Sequence, residues 1–153
     1  MFKRRLRLTA RYNQYLPMAG YSGTPLPKKL GIKPGHSVAL LNAPGGFRKT
    51  LGELPDDVKF ATRIESGHDI IHFFTKSRRE LEKELPRMGK KIAQNGMIWV
   101  SWPKKASGVP TDITEDVVRD TALALGLVDV KVCAVDDTWS GLKLVIRLEN
   151  RKP

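Results

Sequence analysis

The sequence predicts a three-layer α/β fold built on a largely parallel, mixed sheet of five or six strands that ends in an antiparallel hairpin. Three short apolar runs carry this prediction, at residues 37–41, 69–74 and 97–102. A strand that is apolar on both faces is typical of a parallel sheet covered by helices on both sides. Helical patterns between these runs complete the alternation expected of an α/β fold.

Length and composition agree with one globular domain. The chain has 153 residues, of which 41% are hydrophobic and 28% charged. We expect a single domain over residues 25–150, preceded by a basic arm or irregular lead-in over residues 1–24. No apolar run approaches the ~20 residues of a membrane span, and no apolar stretch follows the basic N-terminus as in a secretory signal. The single cysteine, Cys133, excludes an internal disulfide and favours a reducing cytoplasm.

The longest predicted helix starts at a capping box. Ser77 and Glu80 have the spacing in which the serine accepts from the third amide and the glutamate reaches back. Apolar residues then recur at helical spacing, at Leu81, Leu85, Met88 and Ile92. Pro86 predicts a kink or a restart, and the helix is expected to end at residues 95–96. Shorter helices are expected over residues 25–31, near residues 47–53 and after Thr114.

Two strand predictions depend on neighbouring segments. Residues 58–64 alternate, but only residues 65–68 separate them from the next strand, whereas parallel neighbours need a crossover of about a dozen residues. This strand is therefore expected either to run antiparallel or to lie outside the sheet. Near the C-terminus, residues 128–134 and 142–148 each alternate between apolar and charged residues. They predict an antiparallel hairpin whose valine and leucine side chains face the core and whose charged side chains face solvent.

Positive charge is concentrated in a few segments. The formal net charge is +11, and five basic residues without an acid lie in the first eleven positions: Lys3, Arg4, Arg5, Arg7 and Arg11. Residues 76–91 add further bases. This pattern predicts either a surface for nucleic acid, anionic lipid or an acidic partner, or simply a solvated basic face with a frayed terminus.

A ligand site is expected at the carboxyl ends of the central strands, where α/β sheets bind ligands. Four loops qualify, at residues 43–47, 75–77, 103–108 and 136–140. Their glycines, cations and helix-capping serine could together hold a phosphate or a carboxylate. The predicted ligand-binding residues are Gly45, Gly46, Lys76, Ser77, Lys104, Lys105 and Trp139. The alternative is that these are ordinary solvated loops.

Catalytic motifs are missing from the sequence. The first loop lacks the Gly-x-Gly-x-x-Gly spacing, and neither a phosphate-binding Gly-Lys-Ser/Thr nor a Gly-x-Ser-x-Gly elbow occurs. His68 and His72 would lie ~13 Å apart in a strand, too far to share one metal ion, and His72 is expected in the core or an interface. Asp136 and Asp137 suit turn formation. We therefore predict no catalytic residue, no metal site and no particular cofactor, which argues against an enzyme.

Three segments together resemble a known family. They are KLGIKPG at residues 29–35, GMIWVSWPK at residues 96–104 and DTWSGLKLV at residues 137–145. In this order they resemble a bacterial family catalogued as domain of unknown function 3052, over about residues 28–148. The resemblance implies no established activity, cofactor or catalytic residue. The layout is also similar to a shortened methyltransferase-type Rossmann domain, although the glycine loop differs and no acid is placed to hold a ribose.

Several functions follow as hypotheses from different classes. The first is a Rossmann-like domain that binds an anionic small molecule or a protein partner without catalysis. The second is binding of nucleic acid or an acidic partner through the basic arm. The third, implied by the resemblance, is a small S-adenosylmethionine-dependent methyltransferase.

Overall fold

A computed structural model describes residues 23–153 of the chain. The basic residues of the predicted arm lie outside the described residues: Lys3, Arg4, Arg5, Arg7 and Arg11. None of the described helices is long and apolar enough to cross a bilayer.

The described residues form a six-stranded sheet flanked by helices. The strands are β1 (Ser37–Leu41), β2 (Lys59–Ala61), β3 (His68–Phe74), β4 (Ile92–Pro103), β5 (Leu127–Ala134) and β6 (Trp139–Ile146). The α-helices are α1 (Leu26–Leu30), α2 (Phe47–Leu51), α3 (Arg78–Lys91) and α4 (Glu115–Leu123). Short 3₁₀ turns cover Lys105–Ser107 and Leu148–Asn150.

The sheet has the order β2-β1-β3-β4-β6-β5. The strands β2, β1, β3 and β4 are parallel to one another. Strand β6 runs antiparallel to both β4 and β5. The predicted mixed sheet with a C-terminal antiparallel pair is therefore confirmed. The three apolar runs form β1, β3 and β4, which lie side by side and point the same way.

Helices cover both faces of the sheet and bury two separate cores. On β3, Ile71 and Phe73 face the core beneath α3 and α4, while Ile70 and Phe74 face the core beneath α1 and α2. Trp99 is fully buried in the second core, and its indole Nε1 donates a hydrogen bond to the Leu30 carbonyl at 2.9 Å. This bond fixes α1 to the middle of the sheet.

Residues 58–64 were predicted either to run antiparallel or to lie outside the sheet, and both alternatives were wrong. The segment forms the short strand β2, which belongs to the sheet and runs parallel to β1. It pairs on the far side of β1 from β3, so β2 and β3 are neighbours in sequence but not in the sheet. Because β2 has only three residues, the six residues 62–67, which can span about 20 Å, suffice to return past β1 without a helical crossover.

The C-terminal end of α3 also differs from the prediction. The helix runs through Pro86 without a restart and ends at Lys91 rather than at residues 95–96. Ile92 is extended and pairs with His68 as the first residue of β4. An irregular stretch of β4 follows, in which Gly96 packs so closely that a Cβ atom there would lie 2.8 Å from the Asp69 carbonyl oxygen. Ile92 is therefore a buried residue of strand β4 and does not belong to the apolar face of helix α3.

The alternating pattern of β5 predicted the wrong buried face. Val130 and Val132 are 52% and 48% exposed, while Cys133 is buried. The pairing register with β6 shifts between Asp129 and Lys131. A bulge of this kind adds one unpaired residue and reverses the direction of the side chains beyond it. The alternation in the sequence therefore does not predict which side chains of β5 are buried.

Candidate functional site

The four predicted loops lie at one rim of the sheet. Leu41 at the end of β1 pairs with Phe73 near the end of β3. Phe74 in turn pairs with Ser101, and Pro103 at the end of β4 pairs with Trp139 at the start of β6. Since β6 is antiparallel, the turn before it reaches the same edge as the ends of β1, β3 and β4. The topology thus brings the predicted loops to a common edge.

An aromatic cluster packs beneath this rim on the α1 and α2 side of the sheet. The Trp139 ring meets the Phe74 ring edge-on at 5.2 Å between centroids, and Phe47 meets Phe74 at 4.9 Å. His72 stacks on Phe74 at 4.2 Å. Trp139 is therefore packed against the core on this face of the sheet.

The turn before Trp139 is fixed by an aspartate. The Asp136 carboxylate accepts hydrogen bonds from the backbone N–H groups of Thr138 and Trp139, both at 2.8 Å. The backbone N–H of Lys104 donates to the Thr138 carbonyl. The predicted turn-forming role of Asp136 is confirmed, and the turn positions the tryptophan over Phe74.

His72 lies in the core, as predicted. It is 1% exposed, and its Nε2 lies 2.7 Å from the Ser101 hydroxyl, which is also buried. Burial lowers the pKa of His72 to about 3 because the imidazolium would lose its hydration. His68 is buried on the same strand and contacts the Ser37 hydroxyl at 2.8 Å. Within residues 23–153, no three potential metal ligands are grouped together.

The loop between β3 and α3 is used for internal capping. The Ser77 hydroxyl accepts from the Glu80 N–H, as the sequence predicts. The Glu80 carboxylate does not return to Ser77; it accepts from the Thr75 hydroxyl and from Asn42 Nδ2. Lys76 is exposed, and its carbonyl accepts from Thr111. Ser77 and Glu80 thus join the ends of β1 and β3 to α3.

The glycine loop borders a groove of about 380 Å³ on the α2 side of the sheet. Gly46 lines this groove with a φ of +80°, which favours glycine. Gly45 lies next to it, with open space where a Cβ would be. The Arg48 guanidinium lies 3.8 Å above the centre of the Phe60 ring. Sequence reasoning missed this pair because nothing in the spacing signals that α2 contacts β2.

A larger groove, the lysine groove, opens above the end of β4 and has a volume of about 590 Å³. Its apolar wall consists of Trp102, Pro103, Val109, Pro110 and Ile113. Its polar wall consists of Lys104, Lys105, Thr111, Thr114, Glu115 and Ser140. The structure thus places two of the predicted cations, Lys104 and Lys105, in one groove, whereas Gly45, Gly46, Lys76, Ser77 and Trp139 do not line it.

The charge balance of the lysine groove is positive. Neither Lys104 nor Lys105 forms an ion pair with any described residue. The acid on the wall, Glu115, is bound to Arg119, which also contacts Asp116 and Asp129. The hydrogen bond to Asp129, followed by that to Glu115, raises the pKa of Arg119. The groove therefore offers two ammonium groups beside an apolar wall.

Solved structures with this fold are methyltransferase-type Rossmann domains. A chain from the complex between a methyltransferase activator and a putative methyltransferase of Haloferax volcanii matches with a TM-score of 0.58 and 10% identity, over 79% of this chain and 86% of that one. A SAM-dependent methyltransferase from Aquifex aeolicus matches with a TM-score of 0.57 and 16% identity, over 78% and 86% of the two chains. At these identities the likeness shows the fold alone.

The sequence belongs to a family described as protein of unknown function (DUF3052). The family model matches residues 52–148, which is more than half of the chain. The resemblance seen in the sequence is thereby confirmed, although the model begins after the segment at residues 29–35. No curated protein matches the chain.

Proposed function

We propose that this domain binds an anionic small molecule in the lysine groove and carries out no reaction on it. The observation that carries the proposal is the pairing of two lysines with an apolar wall at the carboxyl rim, where ligands of parallel α/β sheets bind. The volume of about 590 Å³ falls in the usual range of ligand sites. A cytoplasmic location, expected from the lone cysteine, is part of the same proposal.

The chemistry of the groove favours a phosphate or a carboxylate attached to an apolar body. Ammonium groups donate charge-assisted hydrogen bonds to such anions, and Lys104 and Lys105 are not bound to acids of the described chain. The Ser140 and Thr114 hydroxyls are additional donors on the wall. Trp102 and Ile113, which also line the groove, would cover the apolar part of the ligand.

The absence of catalysis in this proposal rests on where the reactive groups lie. His72 and Cys133 are both buried in the core beneath α1 and α2, whereas Trp102 and Ile113 of the groove belong to the core on the other face. Burial raises the pKa of the Cys133 thiol, although nearby Lys29 and Lys131 oppose this. A thiol kept protonated is a poor nucleophile.

A thermal-shift screen tests the proposal. Inorganic phosphate, sugar phosphates, nucleotides and short carboxylates would each be added at millimolar concentration to the full chain. A ligand at ten times its Kd adds about 1.4 kcal/mol to the free energy of unfolding, which raises Tm by about 3–6 °C for a chain of this size. Stabilisation by at least one anion supports the proposal, and no shift with any of them contradicts it.

A second candidate is methyl transfer from S-adenosylmethionine, which the fold of the solved neighbours favours. The groove beside Gly46 would be its site, since it lies between the ends of β1 and β2. The residues after β2 are Thr62 and Arg63, whereas an acid at this position binds the ribose in dinucleotide sites of Rossmann folds. Calorimetric titration with S-adenosylmethionine decides between the candidates: heat of binding supports the second, and its absence removes it.

A further inference from the structure

Lysines from three elements converge on the α1 side of the β5–β6 pair. Lys131 and Lys143 are direct register partners on these antiparallel strands. Lys143 is also the register partner of Trp99, whose indole contacts α1. Because residues paired across a sheet share a face, Lys131 and Lys143 both lie on the face that α1 covers in part.

The segment around α1 adds two more lysines to this face. Lys29 on α1 donates from Nζ to the Ala134 carbonyl at 2.9 Å, which brings it to the end of β5. Lys33 follows α1 and acts electrostatically on Lys143. The pKa of Lys143 is lowered, first by burial and then by the charges of Lys131 and Lys33. These four residues, Lys29, Lys33, Lys131 and Lys143, are called the lysine face below.

Three lysines of the lysine face form no ion pair within the described residues. None of the salt bridges in the described part of the chain includes Lys33, Lys131 or Lys143. Like charges directly opposite each other on antiparallel strands destabilise the pair. The pairing of Lys131 with Lys143 therefore costs folding free energy, and an external anion would lower this cost.

We propose that the lysine face binds the phosphate backbone of a nucleic acid. The face is a surface on two strands and a helix, and its lysines share no residue with the lysine groove. Several amines spread over such a surface match a ligand with regularly repeated charges better than a single small anion. The lysines, and not aromatic rings, would make the contacts, so the binding is independent of base sequence.

Helix α3 carries a second group of basic residues that could bind the same ligand. Its lysines Lys83, Lys90 and Lys91 supply a matched control.

Fluorescence anisotropy on the full chain tests this proposal. The probes are labelled 20-nucleotide single-stranded RNA, single-stranded DNA and duplex DNA of mixed sequence, each titrated between 50 and 200 mM salt. We expect Lys33→Gln/Lys131→Gln/Lys143→Gln to weaken binding about tenfold or more at 100 mM salt and to lower the salt slope by about two. The control Lys83→Gln/Lys90→Gln/Lys91→Gln should retain most of the affinity.

Two outcomes overturn the proposal. The first is no binding of any probe by the full chain at 50 mM salt. The second is an equal loss of affinity in both triple variants, which would mean that net charge alone is responsible. A fold check accompanies the titration: because Lys131→Gln and Lys143→Gln remove the pairing of like charges, Tm of the Lys33→Gln/Lys131→Gln/Lys143→Gln variant should stay equal or rise, so weaker binding cannot be attributed to unfolding.

Discussion

His72 Nε2 and the Ser101 hydroxyl lie 2.7 Å apart and join the two central strands β3 and β4 inside the core beneath α1 and α2. Both side chains are almost completely buried, and the His72 ring also stacks on Phe74. The pair thus lies next to the aromatic cluster of Phe47, Phe74 and Trp139. A protonated His72 would be a buried charge at this point.

Acid is expected to destabilise the fold through His72. Its pKa falls from 6.5 to about 3 on folding, so the unfolded chain binds the proton first. The stability of the neutral form is fully present above pH 6.5 and is lost as the pH falls towards 3, by up to about 1.4 kcal/mol per pH unit. Urea unfolding of the wild type between pH 7.5 and 4.5 measures this slope.

The variant His72→Gln keeps a polar partner for Ser101 and does not titrate. It is expected to be less stable at pH 7.5, because glutamine fills the ring site poorly, but to lose less stability with acid than the wild type. Equal slopes for the two proteins would show that carboxylates alone cause the acid sensitivity.

Trp139 is expected to act in packing and not in ligand binding. Its ring contacts Phe74 at 5.2 Å, so Trp139→Ala should cost about 3 kcal/mol of unfolding free energy. Trp139→Phe keeps an aromatic edge and should cost less than about 1.5 kcal/mol. Denaturant unfolding gives both values. A Trp139→Phe protein that is stable but has lost anion binding would contradict this prediction and show that Trp139 contributes to the ligand site.

Substitution by alanine is expected to destabilise the fold far more at Gly96 than at Gly45. Gly96→Ala would bring a Cβ to 2.8 Å from the Asp69 carbonyl oxygen, a backbone atom that cannot move without disturbing β3, so we expect a loss of about 1–3 kcal/mol. Gly45→Ala points into open space and should change stability by less than about 0.5 kcal/mol. Thermal unfolding compares the two, and equal Tm values would contradict this account of β4.

The capping hydroxyl of Ser77 should contribute measurably to stability. Its oxygen accepts from the Glu80 N–H, and Ser77→Ala should therefore cost about 1 kcal/mol. Ser66→Ala, at an exposed serine in the loop before β3, is the control and should be close to neutral. Indistinguishable unfolding midpoints for the two variants would show that the Asn42, Thr75 and Glu80 contacts fix this end of α3 on their own.

Local sequence signals predicted much of the fold. Apolar runs identified β1, β3 and β4 because a strand buried on both faces must be apolar at successive positions. Caps at Ser77 and Thr114 were also correct, since they depend only on atoms within one helical turn. The position of β2 could not be obtained in this way, because it depends on pairing with β1 between residues 22 positions apart in the chain, such as Ser37 and Lys59.

The candidate site was predicted only in part for a related reason. Strand direction brings the four loops to one rim, but the sheet itself separates the groove beside Gly46 from the lysine groove, because their apolar residues belong to the cores on opposite faces. The bulge near Val130 likewise decides which side of β5 is buried. The face on which a side chain lies depends on pairing register across the sheet, and loop composition does not record it.

The central claim is that Lys104 and Lys105 bind an anion in the groove above β4. Calorimetric titration of the most stabilising anion into the wild type, Lys104→Ala/Lys105→Ala and the control Lys83→Ala/Lys90→Ala tests it most directly. Removing two charge-assisted contacts should weaken binding at least tenfold, since each contributes about 1.5–3 kcal/mol, while the control should bind like the wild type. Wild-type affinity in the Lys104→Ala/Lys105→Ala protein would contradict the claim.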